Sequence, residues 1–272
     1  MKRKIQVKKQ YLFFHVCVII SFLVLILDVS GILNIPQFII NFILYFSIFN
    51  GILACIRHYN YVLKIDYEIL KKHQIKSDSY RLNLQVEKVR GIMLCCTGMN
   101  NPNLKQYVDY HQAVGYNEKQ DHWNRQGKYK MPHIFIGYDK NQKIIAVNTL
   151  PYTTCGSVCG KGANGSFDLS PNGHIQIMIC EDSFEDKEYF KEIVFGAAVQ
   201  ICSVLLAKNG LKSKTVISDK EAFDSGFANE YSNFTDWLNK YGYTIEDFRS
   251  AVKARLTLRK IFSDKWECKN LP

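Results

Sequence analysis

The chain has 272 residues, enough for one or two domains with a sizeable core. Its net charge of +10 is uneven: residues 1–90 hold 13 Lys/Arg against 5 Asp/Glu, while residues 91–272 hold 22 against 20. The C-terminal part is therefore nearly neutral, which excludes a basic nucleic-acid surface there, and nine Cys without regular spacing argue for reduced thiols rather than a secreted disulfide framework.

Residues 1–10 form a basic flank with Lys2, Arg3, Lys4, Lys8 and Lys9. Residues 11–56 are almost uninterruptedly apolar, long enough for two membrane helices of about 20 residues each, near 11–30 and 37–56. Asp28, Gly31, Asn34 and Pro36 mark the bend between them. A cleaved signal peptide fits poorly, because the run is too long and no small-residue cleavage site follows. Lys and Arg flank both ends of the hairpin and are absent from the connector, which favours both ends, and the following domain, on the cytoplasmic side. A single span with an interfacial second helix would place that domain outside. Residues 57–85 read as a polar linker, in which Ile65, Ile69 and Lys72 suggest an amphipathic helix that ends at Ser77-Asp78-Ser79. The domain is expected to begin near Val86 and run over residues 86–257, with residues 258–272 as a tail.

The stretch GIMLCCTGMNNPNLKQYV from Gly91 reads as a short buried strand ending in a polar turn, with Cys95 and Cys96 at its rim on opposite faces. Further on come His122-Trp123-Asn124, then the strand after Pro132-His133, a second strand near 143–149 followed by Leu150-Pro151-Tyr152, then Cys159-Gly160 and the strand HIQIMICED over residues 174–182. Residues 186–208 carry Phe190, Ile193, Val194, Ala197, Ile201 and Leu205 at helical spacing and stop at Asn209-Gly210. A strand near 215–218 and a helix around Trp237 follow. Thr244 caps a closing helix whose apolar stripe is Phe248, Val252 and Leu256. Alternating strands and helices imply an α/β fold, a mixed central sheet flanked by helices.

In order and spacing these segments resemble the type 2, zinc-dependent N-acetylmuramoyl-L-alanine amidases of the phage-endolysin and Firmicute branch, related to the peptidoglycan-recognition proteins. The likeness runs from Gly91 nearly to Leu256. It implies the amidase fold, a peptidoglycan fragment as ligand, and zinc as cofactor. In such enzymes the metal polarises the scissile carbonyl of the lactyl–L-Ala amide and activates a water, with a Glu as base. Three protein donors and an open position are needed.

This sequence departs from the family at each of those columns. Cys95 stands at the first His, Asp219 at the second, and Asn233, with Tyr231 adjacent, at the third-ligand segment. Met178 occupies the column of the catalytic Glu, Ser157-Val158 replaces Trp-His, and no His follows His174. Cys95 and Asp219 are acceptable donors, but Asn233 and Tyr231 are poor ones. A Cys95 nucleophile would need a nearby base. His133 and His174 read as sheet histidines, and Glu181 and Asp182 as a solvated pair after their strand. Residues Cys95, Thr97, His133 and Asp219 are the candidates for lining the old ligand groove.

The expectation is a membrane-anchored amidase-fold protein, with no retained catalytic residue and no zinc, that binds muropeptide or a protein partner. A decaying prophage-derived copy is the other reading of the same substitutions. Its alternatives are an active amidase with an altered Cys/Asp zinc site and a holin-like membrane hairpin with a passenger domain.

Overall fold

The computed structural model describes residues 69–128, 130–169 and 171–262, with Tyr67 and six scattered positions between 36 and 49; side chains are described as far as Thr257. The chain divides into two compact units, Met1–Lys64 and Ile65–Pro272. The two expected membrane helices over 11–56 lie outside the described residues. All that follows concerns the second unit.

Its centre is a six-stranded sheet in the order β1-β4-β3-β5-β2-β6. The strands are β1 (Ile69–Lys71), β2 (Gly91–Cys96), β3 (Ile134–Tyr138), β4 (Ile144–Asn148), β5 (His174–Ile179) and β6 (Val216–Ser218). Only the β3–β4 pair is antiparallel, so the sheet is mixed. β2, β3 and β5 are near-continuous apolar runs, as strands covered on both faces require. Side chains alternate, so Ile92, Leu94 and Cys96 enter one core cluster while Met93 and Cys95 enter another.

The first face is covered by helices. Helix α2, Lys187–Lys208, lays Phe190, Ile193, Ala197, Ile201 and Leu205 on the sheet. Asp186 caps it by accepting from the Glu188 and Tyr189 N–H groups, and Gly210, at φ 65°, turns the chain after its end. Although α2 is long and apolar enough to cross a bilayer, 72% of its apolar window is buried in the domain, which is how a core helix reads. Helices α4 (Phe234–Lys240) and α5 (Ile245–Phe262) complete this layer with Trp237, Phe248, Val252 and Leu256. Thr244 and Asp247 cap α5 reciprocally: Thr244 Oγ1 accepts from the Asp247 N–H at 3.3 Å, and Asp247 Oδ2 accepts from the Thr244 N–H at 2.8 Å. The short helix α1 (Asp78–Leu82) precedes β2, and α3 (Asp219–Asp224) follows β6 at once.

The structure corrects the sequence reading at one element. The segment read as a linker holds an edge strand rather than an amphipathic helix: β1 pairs in parallel with β4, Ile69 opposite Ala146. Three residues carry no readable period, and pairing decides their conformation. The compact unit runs from Ile65. The closing helix runs to Phe262.

Candidate functional site

The second face of the sheet is covered by loops, and the groove lies there, beyond the C-terminal ends of β2, β5 and β6. A cavity of about 290 Å³ is lined by Thr97, Trp123, Lys130, Cys159, Met178, Asp219 and the loop from Glu230 to Asn233, among others. Met178, Asp219, Tyr231 and Asn233, four of the positions marked by the resemblance, line it, and Cys95 does not. What they do there follows from their partners.

Asp219 opens α3 directly after β6, where Ser218 and Glu221 form a capping box. The Asp219 side chain is 1% exposed. Its Oδ2 accepts from the Ser232 N–H at 2.6 Å and its Oδ1 from the Lys220 N–H at 2.9 Å. Ser232 Oγ in turn accepts from the Cys96 N–H at 2.7 Å. This latch of carboxylate, hydroxyl and backbone ties the end of β2, the start of α3 and the loop 229–233 together. Burial raises the Asp219 pKa to about 6, against the pull of its hydrogen bonds from Ser232 and the Lys220 N–H.

Cys95 is fully buried, and its Sγ donates to the Ile177 carbonyl at 3.5 Å. Burial first, then the Asp219 charge, pushes its thiol well above the ordinary value, so it is the reverse of an activated nucleophile. Met178 lies opposite Cys95 in the β2–β5 register and supplies no proton acceptor at the base column. Tyr231 is 47% exposed and turns outward, its ring 4.9 Å from that of Phe223 with Lys220 Nζ over it. Asn233 lines the cavity and begins α4 without a side-chain cap bond. Thr97 is at the rim, and its Oγ1 accepts from the Tyr107 hydroxyl at 3.1 Å.

His133 stands apart from this cavity. It is buried within the sheet, with Nε2 at 2.8 Å from the Thr154 carbonyl and Nδ1 accepting from the Gln176 N–H at 3.0 Å. Burial lowers its pKa to about 4, which fixes a neutral ring. His174 is likewise held low, at about 4, and packs its ring against Phe167. Glu181 departs from its expected solvated place: it is fully buried. Cys96 and the loop through Gly98 and Asn100 close over it, and desolvation raises its pKa. No well-formed hydrogen bond reaches either oxygen. Asp182 keeps the role of a turn residue, accepting from the Phe184 and Asp186 N–H groups.

Two residues shape the site without having stood out in the sequence. Ser232 sits between the marked columns 231 and 233 and forms the latch. Asp168 is 5% exposed, and one of its oxygens accepts from the N–H groups of Val158, Cys159 and Gly160 at 2.8 to 3.1 Å. That nest positions the loop carrying Cys159, and burial raises the Asp168 pKa to about 6. Gly160, at φ 67°, presses against the other wall, since a Cβ there would lie 2.3 Å from Asn229 Oδ1. Lys130 and Glu230 pair across the rim at 2.5 Å, both half-exposed.

A zinc centre of the kind the family uses does not fit this donor set. Both Asp219 oxygens are engaged by backbone donors, Cys95 is turned into the core, and Tyr231 points out. Among the described residues no three His, Cys, Asp or Glu side chains are placed to share an ion.

The fold resembles that of a hydrolase from Staphylococcus aureus. That protein, AmiA, solved in complex with its ligand, aligns with a TM-score of 0.50 at 14% identity, over 74% of this chain and 88% of AmiA. PlyL aligns with a TM-score of 0.48 at 16% identity, over 68% of this chain and 97% of PlyL. The PlyG catalytic domain aligns at 0.47 and 17%, over 70% and 95%. At 14% identity the likeness to AmiA shows the fold alone, here the mixed α/β sheet with flanking helices. No family model and no curated protein matches the sequence.

Proposed function

We propose that this chain is a membrane-anchored amidase-fold protein that binds a peptidoglycan fragment in its groove and does not hydrolyse it. Residues 11–56 serve as two membrane spans, and the unit from Ile65 onward is the binding module. The observation that carries the reading is the engagement of Asp219. Its carboxylate, at a family ligand column, is spent on the Ser232 and Lys220 N–H groups, and Met178 leaves the base column without an acceptor. The groove that remains has an indole edge, a thiol, and a Lys130–Glu230 rim, features that suit a short peptide carrying charge at its ends.

Thr97, Lys130, Asn233 and Tyr231 are the residues assigned to ligand contact, with Cys95, Asp219 and Met178 as floor. His133 is assigned to the sheet. The test is to incubate the full chain, in detergent, with a disaccharide-peptide fragment, and to measure binding by calorimetry and cleavage by mass spectrometry, with and without a chelator. Binding that survives chelation, with no released peptide, is expected. Chelator-sensitive cleavage that is lost in Cys95→Ala and Asp219→Ala would establish the altered-zinc amidase instead.

A further inference from the structure

Four sulfur-bearing side chains belong to one buried cluster beneath the groove. Met93 and Cys95 leave the same face of β2, and Met178 stands beside Cys95 on β5, at paired register positions. Cys159 comes from the loop held by Asp168, and its Sγ lies 3.8 Å from Met93 Sδ. All four residues belong to one cluster, and Cys159 and Met178 also reach the cavity lining. Met93 and Cys95 are fully buried, while Cys159 and Met178 are 2% and 3% exposed, so the sulfurs lie one layer below an open groove.

This donor set has a definite chemical preference. Thiolate and thioether ligands are soft and select soft cations, whereas imidazole and carboxylate suit the borderline and hard ones. Two sulfurs bound at about 2.3 Å to one ion in tetrahedral geometry stand about 3.8 Å apart, using a typical metal–thiolate length. The Met93–Cys159 separation has that value, and Cys95 and Met178 are the neighbouring sulfur donors on the same face of the sheet.

We propose that Met93, Cys95, Cys159 and Met178 form a binding site for a soft monovalent cation of the Cu(I) type. Binding displaces a proton from each of the two thiols to solvent; the copper enters and stays as Cu(I), so no oxidant or reductant is consumed. Burial holds both thiols protonated, Asp219 and Asp168 oppose the thiolates and Lys130 favours them, so the incoming ion must displace both protons. Entry is from the groove, past Cys159 and Met178. The inference is independent of whether the groove binds a wall fragment.

The experiment is an anaerobic titration of the full chain in detergent with Cu(I), in competition with bicinchoninate, on wild type and four variants. Met93→Leu and Met178→Leu nearly conserve volume and remove only the sulfur donor, so they keep the core packed. Cys95→Ser/Cys159→Ser removes both thiols, and Cys202→Ala, a buried thiol on α2, serves as a distant control. One Cu(I) per chain held against the competitor is expected. Each Met→Leu change should weaken it by at least roughly 10- to 100-fold, the cost of losing even an outer partner of a metal ligand. The double Cys variant should lose the tight site, and Cys202→Ala should keep it. No retained Cu(I), or Met→Leu chains that bind as wild type, or a tight site that persists without Cys95 and Cys159, would each overturn the proposal.

Discussion

If the Asp219–Ser232–Cys96 latch holds the groove wall in place of an ion, then Ser232→Ala should destabilise the domain far beyond a surface change. The hydroxyl accepts from the Cys96 N–H at 2.7 Å, and Cys96 is 2% exposed. Its removal leaves a buried N–H without a partner, which costs about 1–3 kcal/mol. The same hydroxyl favours the charged form of Asp219, so part of a charge-assisted bond, about 1.5–3 kcal/mol in full, is lost as well. The Ser232 and Lys220 N–H groups still serve the carboxylate, which limits that second share. A net loss of about 2–3 kcal/mol follows. Urea unfolding of the full chain in detergent reads it through Trp123 and Trp237, both buried in this unit, as a shift in midpoint with unchanged slope. Ser225→Ala is the control, since Ser225 is exposed and bonds only to carbonyls within its own turn. It should change stability by less than about 0.5 kcal/mol. A Ser232→Ala loss no larger than that control would refute the latch as the element that holds the loop.

Other measurements probe the same frame. Asp168 and Asp219 hold their protons more tightly folded than unfolded, at about 6 against 3.8, so the folded state binds extra protons between those values. Their contribution is largest below about pH 4 and is lost as pH rises through 6, by at most about 3 kcal/mol each, and Asp219→Asn should flatten this slope in denaturation curves taken from pH 4 to 7. Gly160→Ala forces a left-handed backbone and a contact with Asn229, and should lower the melting temperature by the equivalent of more than about 1 kcal/mol. Breaking the exposed Lys130–Glu230 pair by Lys130→Ala should cost less than about 1 kcal/mol in the same assay. Added zinc should leave the melting temperature unchanged, because an ion that does not bind the folded state cannot stabilise it; a rise that Asp219→Ala abolishes would contradict the misfit of the donor set.

The sequence carried the sheet well because its central strands are long apolar runs with polar stops, and α2 and α5 because their stripes are regular and capped. β1 was illegible: three residues at a sheet edge owe their conformation to β4, 75 positions on and more. The middle of α2 was illegible too. Residues Lys191–Ala198 widen into π-helical turns, where Gly196 leaves space for the Tyr67 hydroxyl and a Cβ would lie 2.4 Å from it. Family columns pointed to 95, 178, 219, 231 and 233, and the structure gathers most of these at one groove. They pointed past Ser232, whose role arises from a carboxylate thirteen positions away in sequence. Glu181 shows the complementary failure. Two adjacent acids after a strand read as solvated, yet alternation turns the first inward beneath the loop around Gly98 and leaves the second in the turn.

The latch also bears on how a groove can hold its shape without an ion. An ion held by β2, by the start of α3 and by the loop 229–233 would tie three segments that are remote in sequence. Here the same three segments are tied by the Cys96 N–H, Asp219 and Ser232. The two arrangements exclude each other at one atom, because Asp219 Oδ2 cannot accept the Ser232 N–H at 2.6 Å and also face a metal along the same direction. Hydrogen bonds to a buried carboxylate are strong enough to supply the missing restraint, though they leave the charge desolvated, and the raised Asp219 pKa records that cost. The groove wall then depends on pH through Asp219. The sulfur atoms beneath it owe nothing to this exchange. Met93 and Cys95 lie buried beneath it while Cys159 and Met178 reach its lining, so the floor keeps its own, softer, donor chemistry whatever holds the wall.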